Sequence, residues 1–245
     1  MPENAAPLES IGSPRRRREG AWTSYFRTVG AVVWKDLAGE MRSRELMGAM
    51  LVFALLAILI FNFALEMDVQ LQETVAAGVL WVTFAFGGTM GLNRSMAMEK
   101  DRGSLDGLLL APVDRSAIFV GKALANLVFM LIVEAIVIPI FSVLYGINLL
   151  RPGLLAVILL GSCGYAAVGT LLASMAVQAR TRDVLLPILL FPVALPVLIA
   201  AVKASNGFLQ GWEIAEIRPW LNLLIAYDVI FLTLAIMFFN FVVEE

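Results

Sequence analysis

The chain has 245 residues, 60% of them hydrophobic, against about 45 to 50% in soluble domains, and apolar runs as long as Leu46 to Leu65 exceed what a soluble core can hide from water. A formal net charge of -2 gives no reason to expect a nucleic acid partner. With Cys163 as the lone cysteine and no histidine, an internal disulfide, the usual zinc ligand sets and histidine-based catalysis are all excluded.

In chain order, residues 1–20 hold Pro2, Pro7, Pro14 and the run Arg15 to Arg18 with little apolar content, and read as a disordered basic tail. No apolar stretch or small-residue cleavage site follows the arginines directly, so the tail is expected to stay attached. Residues 21–45 place Trp22, Phe26, Val29, Val33 and Leu37 at three- and four-residue steps among Arg27, Lys35, Asp36, Glu40 and Arg42. This predicts an amphipathic interfacial helix anchored by Trp22 and Trp34, with packing against a partner as the alternative.

Residues 46–245 read as one membrane domain with six spans: Leu46 to Leu65, Val75 to Leu92, Ala123 to Tyr145, Gly153 to Val177, Val184 to Val202 and Leu221 to Val243. The runs are continuously apolar rather than alternating, which predicts an all-α integral membrane fold and not a barrel. Of the 18 Lys and Arg, 15 fall on the side of the N-terminus, loop 93–122 and loop 178–183, leaving Arg151, Lys203 and Arg218 opposite. By the positive-inside rule both termini are cytoplasmic. The outward stretch Lys203 to Trp220, with Phe208, Trp212 and Trp220, suits short helices in the outer interface.

The most informative connection is 93–122. Charges crowd Arg94 to Arg102, Leu105, Leu108 and Leu109 recur at helical spacing, Pro112 interrupts, and Asp114 is placed to cap a second short helix from Arg115. An apolar stripe here fits packing beneath its own bundle or docking on a partner equally well. Within the spans, Glu134 and Asp228 are costly carboxylates expected to face the bundle, a cavity or a subunit interface, as pathway residues or as hydrogen-bonded helix contacts, the latter with Tyr227 for Asp228. Ser162, Ala166, Thr170 and Ser174 form a small-residue ladder that lets a helix approach, and Pro192 and Pro196 are expected to kink the fifth span.

Glu99, Arg102-Gly103-Ser104-Leu105-Asp106, Leu108-Leu109, Pro112 and Gly121-Lys122, placed between the second and third of six spans, resemble the cytoplasmic segment of type-2 ABC exporter permeases. Together with the proline-rich fifth span, the run from Gly103 to Lys122 is similar to the haem exporter B family (CcmB) of cytochrome c maturation. The resemblance covers about residues 26–243 and leaves the basic tail unexplained. It implies the permease subunit of a haem-exporting or haem-delivering ABC complex in the bacterial inner membrane. An ABC ATPase and other cytochrome c maturation membrane proteins would be its partners, and a homodimer is among the arrangements it allows. Glu99, Arg102, Gly103, Leu105, Leu108, Leu109, Pro112 and Lys122 would then form the ATPase-coupling segment.

No enzymatic role is expected of the chain itself. A phosphate-binding loop needs G-x-x-x-x-G-K-[ST], yet around Gly121-Lys122 its first position is Ser116 and its last Ala123. ATP is therefore expected on the partner. No cofactor motif is recognisable, haem enters as cargo, and only scattered iron ligands such as Met90, Cys163 and Tyr165 are at hand. Three alternatives stay open: an ABC permease for another amphipathic cargo, a proton-coupled transporter using Glu134 and Asp228, and a scaffold coupling an ATPase to release of a haem chaperone.

Overall fold

A computed structural model describes residues 21–65, 69–101, 113–177, 179 and 181–242. Among them the chain is helical throughout, with no strand: α1 (Ala21–Ser43), α2 (Glu45–Leu65), α3 (Val69–Asp101), α4 (Arg115–Tyr145), α5 (Pro152–Ala176), α6 (Arg182–Gln210) and α7 (Ile214–Val242). The last six are long and apolar enough to cross a membrane. α3 and α5 lie inside the bundle, α3 packing on α2, α4, α5 and α6, and α5 on α4, α6 and α7. Val52, Leu56, Ile60 and Phe63 of α2 stay exposed on one side of that helix, as suits side chains facing hydrocarbon.

Several helices outrun their apolar cores. α3 continues from Leu92 to Asp101 because its polar residues find partners on neighbouring elements. Arg94 pairs with Glu45 at 2.6 Å, Asn93 donates to Asp183 at 2.8 Å and Lys100 donates to the Val177 carbonyl at 2.8 Å. Asp114 does cap a helix, accepting from the Ser116 N–H at 2.9 Å, but that helix is the 31-residue α4 and not a separate short one. The stretch Lys203 to Trp220 also departs from expectation. Instead of short interfacial helices it completes α6, turns over residues 211–213 and begins α7, because Ile217 is buried and Trp212 and Trp220 pack against the core.

α1 lies against α4. The face it turns inward keeps Val29 and Leu37 of the expected stripe and adds Val32, Asp36 and Glu40, whereas Phe26 and Trp34 are left exposed. The close approach is made at Gly121, where a Cβ would come within 2.7 Å of the Val32 Cβ. α1 ends at an elbow. Arg44 takes a left-handed conformation with φ 54°, and its N–H bonds the Glu40 carbonyl at 2.7 Å before α2 begins. The buried Glu40 side chain then reaches across the elbow and accepts from the Met47 N–H at 2.9 Å, satisfying one of the donors that α2 leaves open at its start.

Candidate functional site

Asp36 belongs to the inward face of α1, Glu99 to the last turns of α3 and Lys122 to the second turn of α4, three elements that meet at the end of the bundle bearing α1. Lys122 Nζ sits 2.7 Å from Asp36 Oδ2 and 2.8 Å from Glu99 Oε1. Lys35 joins from α1, pairing with Glu99 and lying 3.3 Å from Asp36 Oδ1. Lys122 and Glu99 are only 3% and 6% exposed. Two cations and two carboxylates thus meet at a cleft of about 170 Å³, which the Glu40 carboxylate and Ser95 also line. Burial pulls the Lys35 ammonium down, but its hydrogen bond with Glu99 and the charges of Glu99 and Asp36 outweigh this, and its pKa is raised above the ordinary 10.5.

The site brackets the connection between α3 and α4. Glu99 stands two residues before the end of α3 and Lys122 seven after the start of α4, so the network ties both flanks of segment 102–112 to α1. Arg102, Gly103, Leu105, Leu108, Leu109 and Pro112 lie outside the described residues. Of the residues singled out in this connection, Glu99 and Lys122 are brought together, both turned into the bundle. Asp36 and Lys35 complete the cluster. The sequence showed them only as charges on an amphipathic helix.

A polar line continues along α4 from this cluster, since Lys122, Asn126, Met130 and Glu134 follow at four-residue steps and share one face. Asn126 donates to Thr170 Oγ1 at 2.9 Å, and Ser162 donates to Glu134 Oε1 at 2.6 Å. Two rungs of the small-residue ladder on α5 are therefore hydrogen-bonding partners of α4. Glu134 is 2% exposed and borders a small cavity with Thr83, Gly87 and Met130; its Oε2 has no partner among the described residues.

Asp228 stands apart from this line. It is buried on α7 with Oδ1 against α5, 2.3 Å from where a Cβ on Gly164 would stand. Tyr227 is not its partner, because that hydroxyl donates to the Val193 carbonyl at 3.1 Å. Pro187, Pro192 and Pro196 lie inside one continuous α6. Of the scattered iron-ligand candidates, Tyr165 is buried with its hydroxyl 2.6 Å from Thr89 Oγ1, Cys163 is half-buried and Met90 is exposed.

Comparison with known proteins gives a consistent family assignment. The family model for the CcmB protein matches residues 27–244. The chain is 29% identical over 187 residues to "Heme exporter protein B" of Rhodobacter capsulatus, covering 75% of this chain and 85% of that one. It is 28% identical to the protein of the same name from Pseudomonas aeruginosa, covering 72% and 79%, and 29% identical to that of Paracoccus denitrificans, covering 74% and 84%.

Proposed function

The chain belongs to the CcmB protein family, and we propose that it is the membrane permease subunit of a haem-export complex serving cytochrome c biogenesis. The observation that carries this reading is the family match over residues 27–244, joined to relatives named for haem export that it covers over most of their length. In this reading haem is cargo, and ATP is bound and hydrolysed by a separate ATPase subunit, since the chain lacks a phosphate-binding loop. Other cytochrome c maturation proteins share the complex. The end bearing α1 and segment 102–112 faces the cytoplasm with both termini, as the distribution of Lys and Arg favours.

The ion network gives the coupling a physical route. Segment 102–112 is the docking element for the ATPase, with Leu105, Leu108 and Leu109 as its apolar stripe, Arg102 at the rim and Gly103 and Pro112 at its bounds. Its flanks, α3 and α4, are held to α1 through Asp36, Glu99 and Lys122, so displacement of the segment moves α3, α4 and α1 together. Stability alone is a poor reason to bury Glu99 and Lys122, because packed apolar side chains would serve as well. A network that fixes the register of three elements is a better one. Along the same face of α4, Glu134 then carries the displacement into the membrane.

The test is purification with native partners in lipid nanodiscs. The complex is expected to contain an ATPase whose turnover responds to haem, and Lys122→Met is expected to retain the ATPase while losing that response. A Lys122→Met complex with full haem response would contradict the coupling route, and a native complex without an ATPase would contradict the permease reading. Orientation is checked in a Cys163→Ala background, where an impermeant thiol reagent outside the cell should label Gln210→Cys and leave Thr181→Cys untouched.

A further inference from the structure

The elbow between α1 and α2 stands where the spans begin. Glu45, the first residue of α2, pairs with Arg94 at 2.6 Å, and the two adjoin the polar ends of apolar runs, which start at Leu46 in α2 and stop at Leu92 in α3. Arg42 and Arg44 are exposed at this level, and neither side chain has an ion pair or hydrogen bond among the described residues. The carboxylates nearest to them along the chain are engaged elsewhere, Glu45 by Arg94 and the buried Glu40 by the Met47 N–H. Arg44 also holds φ at 54°, a left-handed position that glycine takes with less strain at a helix end. An arginine kept at such a position points to a use for its side chain. Beside it a notch of about 420 Å³ opens among Met41, Met47, Gly48 and Leu51. Gly48 leaves the notch open, since a Cβ there would meet nothing within 4 Å. From the elbow the notch follows the first turns of α2, whose Val52, Leu56 and Ile60 face outward farther along.

Two uncompensated guanidiniums at the head of an apolar notch that runs along a membrane span fit a ligand with an anionic head and an apolar tail. We propose that the elbow binds an anionic phospholipid from the leaflet on the α1 side, with its phosphate on Arg42 and Arg44 at the mouth of the notch and an acyl chain along Met47, Gly48 and Leu51. Neither half of the site specifies this ligand alone. An apolar notch takes the tail of any lipid, and two arginines attract any acidic surface. An acidic protein surface, however, brings no chain to lie along a span, and a zwitterionic lipid returns a positive group to the arginines. The bound lipid fastens the elbow that joins α1, and with it Asp36 and Glu40, to the first span. The site is independent of what the permease carries.

The probe is phosphatidylglycerol. The full chain is extracted from vesicles of equal parts phosphatidylglycerol and phosphatidylcholine, and the lipid it retains is read by native mass spectrometry. The parent is expected to keep phosphatidylglycerol in preference to phosphatidylcholine. Arg42→Gln and Arg44→Gln should each lower that preference by about tenfold, the scale of one charge-assisted hydrogen bond. Gly48→Leu fills the notch and should lower phosphatidylglycerol retention although both arginines remain, whereas Lys203→Gln, at an exposed lysine of α6, should change nothing. A parent without preference overturns the proposal, as does parental retention in both Arg44→Gln and Gly48→Leu. Displacement of the lipid by inorganic phosphate, with Gly48→Leu behaving as the parent, would make the elbow a free-anion site. Loss of ATPase co-purification in Arg44→Gln with retained lipid unchanged would make it a protein contact, and either result overturns the proposal.

Discussion

Lys122 of α4 and Asp36 of α1 face each other at 2.7 Å, with the lysine only 3% exposed. The pair joins the N-terminal helix to the start of a membrane span, and Glu99 on the same ammonium adds the end of another. Removing the lysine takes away the ammonium shared by Asp36 and Glu99.

Lys122→Met should therefore lower stability in detergent by about 3 to 5 kcal/mol, as expected when one member of a buried charge cluster is lost. Arg94→Ala breaks a pair that is 43% and 58% exposed at its two side chains and should cost under about 1 kcal/mol. Thermal or denaturant unfolding of the two variants reads the contrast. Equal losses would mean that the cluster is as well solvated as the surface pair.

Lys35 gives a prediction in pH. Its pKa is raised in the folded chain, so its contribution to stability is fully present below the unfolded lysine value and is lost as pH rises through the higher folded value. The stability gap between the parent and Lys35→Met should be flat from neutral pH to about pH 10 and then shrink. A gap that widens in alkali would show that the carboxylates do not hold the ammonium.

At Glu134, Ser162→Ala removes the only hydrogen bond made to the carboxyl among the described residues and should cost about 1 kcal/mol, the scale measured between membrane helices. Glu134→Gln keeps an acceptor for the serine and should insert at normal abundance, yet cytochrome c maturation should fall. Full maturation in Glu134→Gln would reduce the residue to a helix contact.

The six spans were legible because each needs about 20 predominantly apolar residues in a row, and the sequence supplies six such runs with only isolated polar residues such as Glu134 and Asp228 inside them. Their ends were less so. Asn93, Arg94 and Lys100 end an apolar run but not a helix, since each finds a partner on another element, and Ile217 turns an expected interfacial segment into the first turns of α7. The candidate site was half legible. Glu99 and Lys122 stood out through the family pattern, whereas their partners Lys35 and Asp36 lie 64 and 86 residues away along the chain. Periodicity reports which face of a helix is apolar and says nothing about such distant pairs. Glu40 shows the same limit, being buried on α1 to cap α2 across the Arg44 elbow.

In the proposed coupling, segment 102–112 seats in a separate ATPase and its motion enters the bundle through Glu99 and Lys122. Leu108→Asp tests it most directly. Burying a leucine contributes about 1.5 to 3 kcal/mol, and each 1.4 kcal/mol or so is tenfold in affinity, so replacing it with a charge should lower ATPase co-purification by about tenfold or more. Because no spanning helix is altered, membrane abundance should hold while cytochrome c maturation falls with the lost ATPase. Wild-type ATPase yield together with wild-type maturation in Leu108→Asp would contradict the docking assignment.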